Sequence, residues 1–103
     1  MARIEFAPEV LDDFDRFFDR FFDHIADTDP GSAVERIGEI VQAVEVLTRS
    51  PLIGRTVRGG KRELVIGQAA RGYIALYRYV ADVDTVFVLA VRSQRESGYK
   101  RDR

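Results

Sequence analysis

Tyr73-Ile74-Ala75-Leu76-Tyr77-Arg78-Tyr79-Val80, then Ala81-Asp82-Val83-Asp84, then Thr85-Val86-Phe87-Val88-Leu89-Ala90-Val91, is the stretch that decides the fold. Side chains alternate across a strand with period two, so the first run puts Tyr73, Ala75, Tyr77 and Tyr79 on one face. Asp82-Val83-Asp84 supplies a turn. The second run is apolar on both faces, as expected of a strand in the middle of a sheet. Upstream, Glu63-Leu64-Val65-Ile66 reads as a further strand, joined to Tyr73 by the turn-rich connection Gly67 to Gly72. Connections this short imply an antiparallel meander, because a parallel crossover needs a dozen residues or more.

Outward toward the N-terminus the period changes. From Val10 the apolar residues are Val10, Leu11, Phe14, Phe17, Phe18, Phe21, Phe22 and Ile25, a spacing of three and four that marks one face of a helix. Pro8 stands where a helix can begin without losing a hydrogen bond. The segments Phe14-Asp15-Arg16-Phe17, Phe18-Asp19-Arg20-Phe21 and Phe22-Asp23-His24-Ile25 echo at four residues, close to one helical turn, which is amphipathic patterning and not a solenoid repeat. The aspartates among them, with Asp12 and Asp13, read as a solvated face within pairing distance of Arg16 and Arg20 and not as a metal ladder. His24 is a surface or boundary residue. Asp29-Pro30-Gly31 breaks the helix, and Ser32 with Glu35 forms a capping box for the next one. The second helix has Val34, Ile37, Ile40, Val41, Val44 and Leu47 on its apolar face and ends before Ser50-Pro51. Two helices with so short a break should fold back as an antiparallel pair. Arg3-Ile4-Glu5-Phe6 precedes them as a short strand. The expected order is β-α-α-β-β-β, an α+β fold with the helix pair covering one face of an antiparallel sheet, followed by a charged tail over residues 92–103.

The chain has 103 residues, the size of a single domain spanning 1–103. It has no cysteine, which excludes disulfides, a thiol nucleophile and cysteine-containing zinc sites, and fits a reducing cytoplasm. No apolar run approaches the ~20 residues of a membrane helix, and the first residues lack a signal peptide's apolar stretch. There is no Gly-x-x-x-x-Gly-Lys loop, no Gly-x-Ser-x-Gly elbow and no zinc-site spacing, so neither a metal nor another cofactor is expected.

A formal net charge of −1 hides an asymmetry. Residues 1–48 carry 12 acidic and 4 basic side chains, whereas residues 49–103 carry 5 acidic and 12 basic ones. Most of the basic charge is arginine, whose planar fork suits carboxylates and phosphates. Arg62, Arg71, Arg78, Arg92, Arg95 and Tyr99 lie on or beside the sheet segments. Interleaved with Tyr73, Tyr77 and Tyr79 they could grip phosphate and stack on bases, or hold an acidic protein segment. In the plainer alternative the tyrosines are core and the arginines solubilise strand ends.

The order of short motifs then resembles the ParE/RelE superfamily of bacterial toxins, the toxic halves of type II toxin–antitoxin (plasmid stabilisation) modules. The resemblance covers nearly the whole chain. It runs through Pro30 and Ala33, Ser50-Pro51-Leu52-Ile53-Gly54-Arg55, Arg62-Glu63-Leu64, Gly72-Tyr73 with Tyr77, and Val88-Leu89-Ala90-Val91-Arg92 into Gln94-Arg95-Glu96 and Gly98-Tyr99. It implies a small cytoplasmic growth inhibitor held inactive by a cognate antitoxin. RelE-like members cut mRNA in the ribosome, and ParE-like members inhibit DNA gyrase.

The Pro51–Arg55 loop and Arg62-Glu63-Leu64 are more similar to ParE. RelE-like enzymes carry lysines where this chain has Glu63, Leu64, Val65 and Ile66, and a catalytic arginine where it has Ile74. Cleaving RNA needs a base, an acid and cations for the developing charge, and an apolar Ile74 cannot supply the last. Many similar chains have histidine at the position of Ser93. The resemblance therefore implies a gyrase inhibitor that acts by binding, with Arg62, Arg78, Arg92, Arg95 and Tyr99 facing antitoxin or target. A ribosome-dependent ribonuclease using Arg71, Arg78, Arg92, Arg95 and Tyr99 is the alternative, and a non-toxic binding partner in such a complex is a third.

Overall fold

The computed structural model describes residues 1–24, 30–67 and 72–94, and for 17–24 and 30–34 the backbone alone. In chain order the elements are β1 (Arg3–Phe6), α1 (Glu9–His24), α2 (Pro30–Val44) continued by a 3₁₀ turn at Glu45–Thr48, β2 (Arg55–Val57), β3 (Lys61–Ile66), β4 (Tyr73–Val80) and β5 (Thr85–Ser93). They form one five-stranded sheet in the order β1-β5-β4-β3-β2, with two helices packed on it.

β3 to β5 make the expected antiparallel meander, β2 extends it at one edge, and β5 is an interior strand, between β4 and β1. The sheet as a whole is mixed and not antiparallel, because β1 runs parallel to β5 with Arg3 opposite Thr85 and Phe6 opposite Val88. Alternation in Arg3–Phe6 identifies a strand but leaves open which edge of the meander it joins, and that edge fixes its direction. β2 is a strand that the sequence reading passes over, being only three residues long. Its turn into β3 passes through Gly59 (φ 83°) and Gly60 (φ 73°), a left-handed path that glycine adopts without penalty, and the pair is itself a hairpin signal. β3 accordingly begins at Lys61, two residues before the expected start.

Three further expectations are corrected. α2 begins at Pro30, so Ser32 lies inside its first turn and cannot be its N-cap; proline suits that first position because its missing N–H would have no partner there. β5 continues to Ser93, which puts Arg92 and Ser93 in the sheet and not in a tail. In α1, Leu11 is 65% exposed while Asp13 is buried, since the inward positions are Val10, Asp13 and Phe14, at spacings of three and four.

The core lies between the helices and the sheet. Val10, Ile40, Val44 and Leu47 meet Ile66, Ala75, Tyr77, Val86, Val88 and Val91, and Tyr73 and Tyr79 pack against the cluster. Each fully buried aliphatic side chain there contributes about 1.5–3 kcal/mol. The tyrosine face is therefore core, and the reading of it as a base-stacking platform is overturned. Val88 and Val91 can both face inward because the β4–β5 register slips at Leu76/Tyr77: Leu76 is opposite Ala90, Tyr77 is opposite Val88, and Leu89 is the extra residue of a β-bulge.

Candidate functional site: a pinned loop and an arginine-bearing sheet face

Tyr77 organises the first half of the site. It is fully buried, and its phenol oxygen accepts a hydrogen bond from the Gly54 N–H at 2.9 Å. Burial pushes the Tyr77 phenol pKa up, with the Gly54 N–H and the Arg62 charge opposing the shift. Arg62, opposite Tyr77 across β3 and β4, donates from Nη1 to the carbonyls of Gly54 at 2.8 Å and Leu52 at 3.0 Å. The loop between the 3₁₀ turn and β2 is thus held at both backbone polar groups of one residue, Gly54. Gly54 fits because it has no side chain: a Cβ would stand 2.7 Å from the Glu63 carbonyl oxygen and the Tyr77 ring.

The next residue, Arg55, donates from Nε (3.0 Å) and Nη2 (2.8 Å) to one oxygen of Glu63, a carboxylate only 8% exposed. Glu63 is opposite Leu76, which is opposite Ala90, so this ion pair lies on the sheet face away from Tyr77. The same face carries Ile74 opposite Arg92, and Arg78 opposite Phe87. Arg78 is exposed and donates to the Gly59 carbonyl at 2.8 Å; Arg92 is half-buried, with Nη1 3.4 Å from the Ser93 carbonyl.

The sequence-predicted residues therefore divide. Arg78 and Arg92 share the outer face, whereas Arg62 is on the Tyr77 face and serves the loop. The β4 positions of Arg78 and of Ile74, the partner of Arg92, are four residues apart, on the order of 13 Å along the strand. Arg71, Arg95 and Tyr99 lie outside the described residues.

Two features carry no sequence signal that singles them out. Asp13 reads as one more aspartate of a solvated helix, yet its Oδ2 accepts the Val91 N–H at 2.9 Å and its Oδ1 is 2.9 Å from Arg16 Nη1. Arg16 Nη2 in turn reaches the Val91 carbonyl at 3.5 Å. Backbone pairing of this edge of β5 runs as far as the Ala7 N–H on the Val88 carbonyl, and beyond it the helix side chains take up the strand's polar groups. At the other end of the sheet, Tyr79 donates to Asp84 Oδ1 at 2.6 Å, and Asp84 adopts a left-handed φ of 45°. That bond to a carboxylate raises the Tyr79 phenol pKa.

Among the described residues there is no group of three or more His, Asp or Glu side chains able to hold a metal ion, and no helix long and apolar enough to cross a membrane. Guanidinium groups are the charged side chains that recur in the surface described above, and they are a means of binding a carboxylate or another anion.

Residues 4–98 match the family model described as the ParE toxin of the type II toxin–antitoxin system, parDE. No curated protein matches the sequence. Among solved structures, a chain of the chromosomal ParDE system from P. aeruginosa is similar at a TM-score of 0.71 and 20% identity, covering 90% of this chain and 96% of its own. A chain of the intact E. coli RelBE toxin–antitoxin complex follows at a TM-score of 0.58 and 14% identity, covering 93% of this chain and 100% of its own. A free E. coli RelE mutant aligns at a TM-score of 0.52 and 19% identity over 94% of this chain and 88% of its own. At these identities the structural likeness establishes the fold.

Proposed function

This chain belongs to the ParE toxin family of type II toxin–antitoxin systems, and on that premise we propose that it arrests growth in the cytoplasm by binding and inhibiting DNA gyrase until a cognate antitoxin neutralises it. The observation that carries the reading is the family match over residues 4–98. The sheet supports it: Ile74, at the position where RelE-like enzymes carry a catalytic arginine, is a buried apolar side chain beside Arg92. Arg78 is held on the Gly59 carbonyl at the other end of the same face, so these two arginines do not converge on a single phosphate. Inhibition by binding needs a complementary surface and no proton transfer, which fits arginines fixed by their own backbone.

The same surface suits antitoxin neutralisation. Arg78 and Arg92 on the outer face suit a partner segment bearing carboxylates, which pair with guanidinium groups through charge-assisted hydrogen bonds.

Induced expression with two readouts tests the target. Loss of negative supercoiling by purified gyrase, or DNA breaks in the cell, is the expected result. Site-specific cuts in translated mRNA without any effect on gyrase would instead assign the ribonuclease reading. Normal growth in the absence of antitoxin would sink both and leave a non-toxic binding partner.

A further inference from the structure

The loop pinned by Tyr77 and Arg62 presents two apolar side chains to solvent. Leu52 is 57% exposed and Ile53 58% exposed, although a core with room for Leu47 lies a few residues upstream. Their backbone is fixed on both sides: the Leu52 carbonyl is held by Arg62, and the Ile53 N–H donates to the Ser50 carbonyl at 3.1 Å. The cost of ordering this tip is met in folding, so a partner that docks on it does not meet it again. Val46, whose carbonyl accepts the N–H groups of Arg49 and Ser50, is a further exposed apolar residue of the same turn.

The segment that carries the tip is basic. Residues 49–62 contain Arg49, Arg55, Arg58, Lys61 and Arg62 and no acidic residue. Arg49, Arg55 and Arg58 are exposed. An apolar centre with a cationic rim has the anatomy of a protein-docking surface, and its complement is an apolar hollow bordered by carboxylates.

We propose that the Leu52-Ile53 tip, with Arg49 at its rim, is the surface through which this toxin grips its target protein, at an apolar hollow edged by acidic side chains. The proposal rests on the reading of the chain as a toxin that acts by binding. It separates target from antitoxin: the target takes the loop on the Tyr77 side of the sheet, and the antitoxin takes the arginines of the outer face.

The test uses the full chain carrying Leu52→Ser with Ile53→Ser, and separately Arg49→Glu. Both alter exposed side chains, and thermal melting by circular dichroism checks that each variant folds. The double variant is expected to raise survival on induction at least tenfold and to weaken binding to purified gyrase by a similar factor. Co-purification with co-expressed antitoxin should be unchanged. Arg49→Glu should slow association with the target and reduce its salt dependence. A folded double variant that arrests growth like the wild type overturns the proposal. So does one that keeps its toxicity but loses the antitoxin, which would place the antitoxin on the loop. A wild-type chain that arrests growth without touching gyrase refutes the gyrase reading alone, and loss of that arrest in the double variant would still support the tip. A wild-type chain that does not arrest growth overturns both.

Discussion

Gly54 and Tyr77 are matched to each other atom by atom. A methyl group at position 54 would overlap a backbone carbonyl and a fully buried ring, neither of which can yield cheaply. Gly54→Ala should therefore destabilise the protein by about 2 kcal/mol, the usual scale of overpacking, as read by urea denaturation. Tyr77→Phe keeps the ring and removes the acceptor of the Gly54 N–H, which should cost about 1–2 kcal/mol in the same measurement. The pKa of Tyr77 is raised by burial, so the native state favours its protonated form. Stability should hold steady below the ordinary tyrosine value of about 10 and fall as pH rises through the higher native value. Ultraviolet titration of the phenols in the wild type and in Tyr77→Phe, alongside the unfolding signal, checks this: a high-pH loss of stability that is the same in both proteins would contradict the assignment to Tyr77. At this scale the sequence is partly legible. Tyr77 can be placed on a strand face from alternation, but its contact with Gly54 spans 23 residues and depends on the loop's path.

The elements themselves follow from periodicity wherever the apolar pattern is long. α1, α2, β4 and β5 come from that pattern, whereas β2 does not, since three residues are too few to establish a period. Asp13 illustrates the converse failure. Its neighbours in sequence are polar, and nothing in the helical pattern separates it from Asp12 or Asp15. It is buried because β1 is short and leaves the Val91 N–H and carbonyl to be satisfied by α1. Asp13→Ala removes that acceptor and leaves Arg16 without the carboxylate, which should cost about 3 kcal/mol. Asp13→Asn should cost less, because an amide oxygen can still accept the Val91 N–H. Hydrogen exchange at Val91 should accelerate more in the alanine variant than in the asparagine one, and equal protection in all three proteins would refute the link between α1 and β5. At the sheet edge, Arg55→Ala should cost no more than about 1 kcal/mol, since its side chain is 65% exposed and solvent screens the pair.

On the scale of the whole molecule the charge split becomes a division of labour. The acidic half of the chain builds β1 and the helices, and the basic half builds the remaining strands and the loop that pins to Tyr77. Binding of an acidic antitoxin segment to the outer face should weaken as salt rises, and Arg92→Ala should lower both the affinity and that salt dependence in titration calorimetry. Unchanged affinity with an unchanged salt slope would remove Arg92 from the interface. The sequence by itself determined the helix pair, the meander of β3 to β5, the interior position of β5 and the likeness to the ParE/RelE toxins, because apolar periodicity and short connections are local properties of the chain. Only the tertiary structure decided that β1 runs parallel to β5, that Arg62 faces the loop while Arg78 and Arg92 face outward, and that the tyrosines are core. Those outcomes turn on register, on a one-residue bulge and on which edge a strand joins, and each is settled by contacts between residues far apart in the chain.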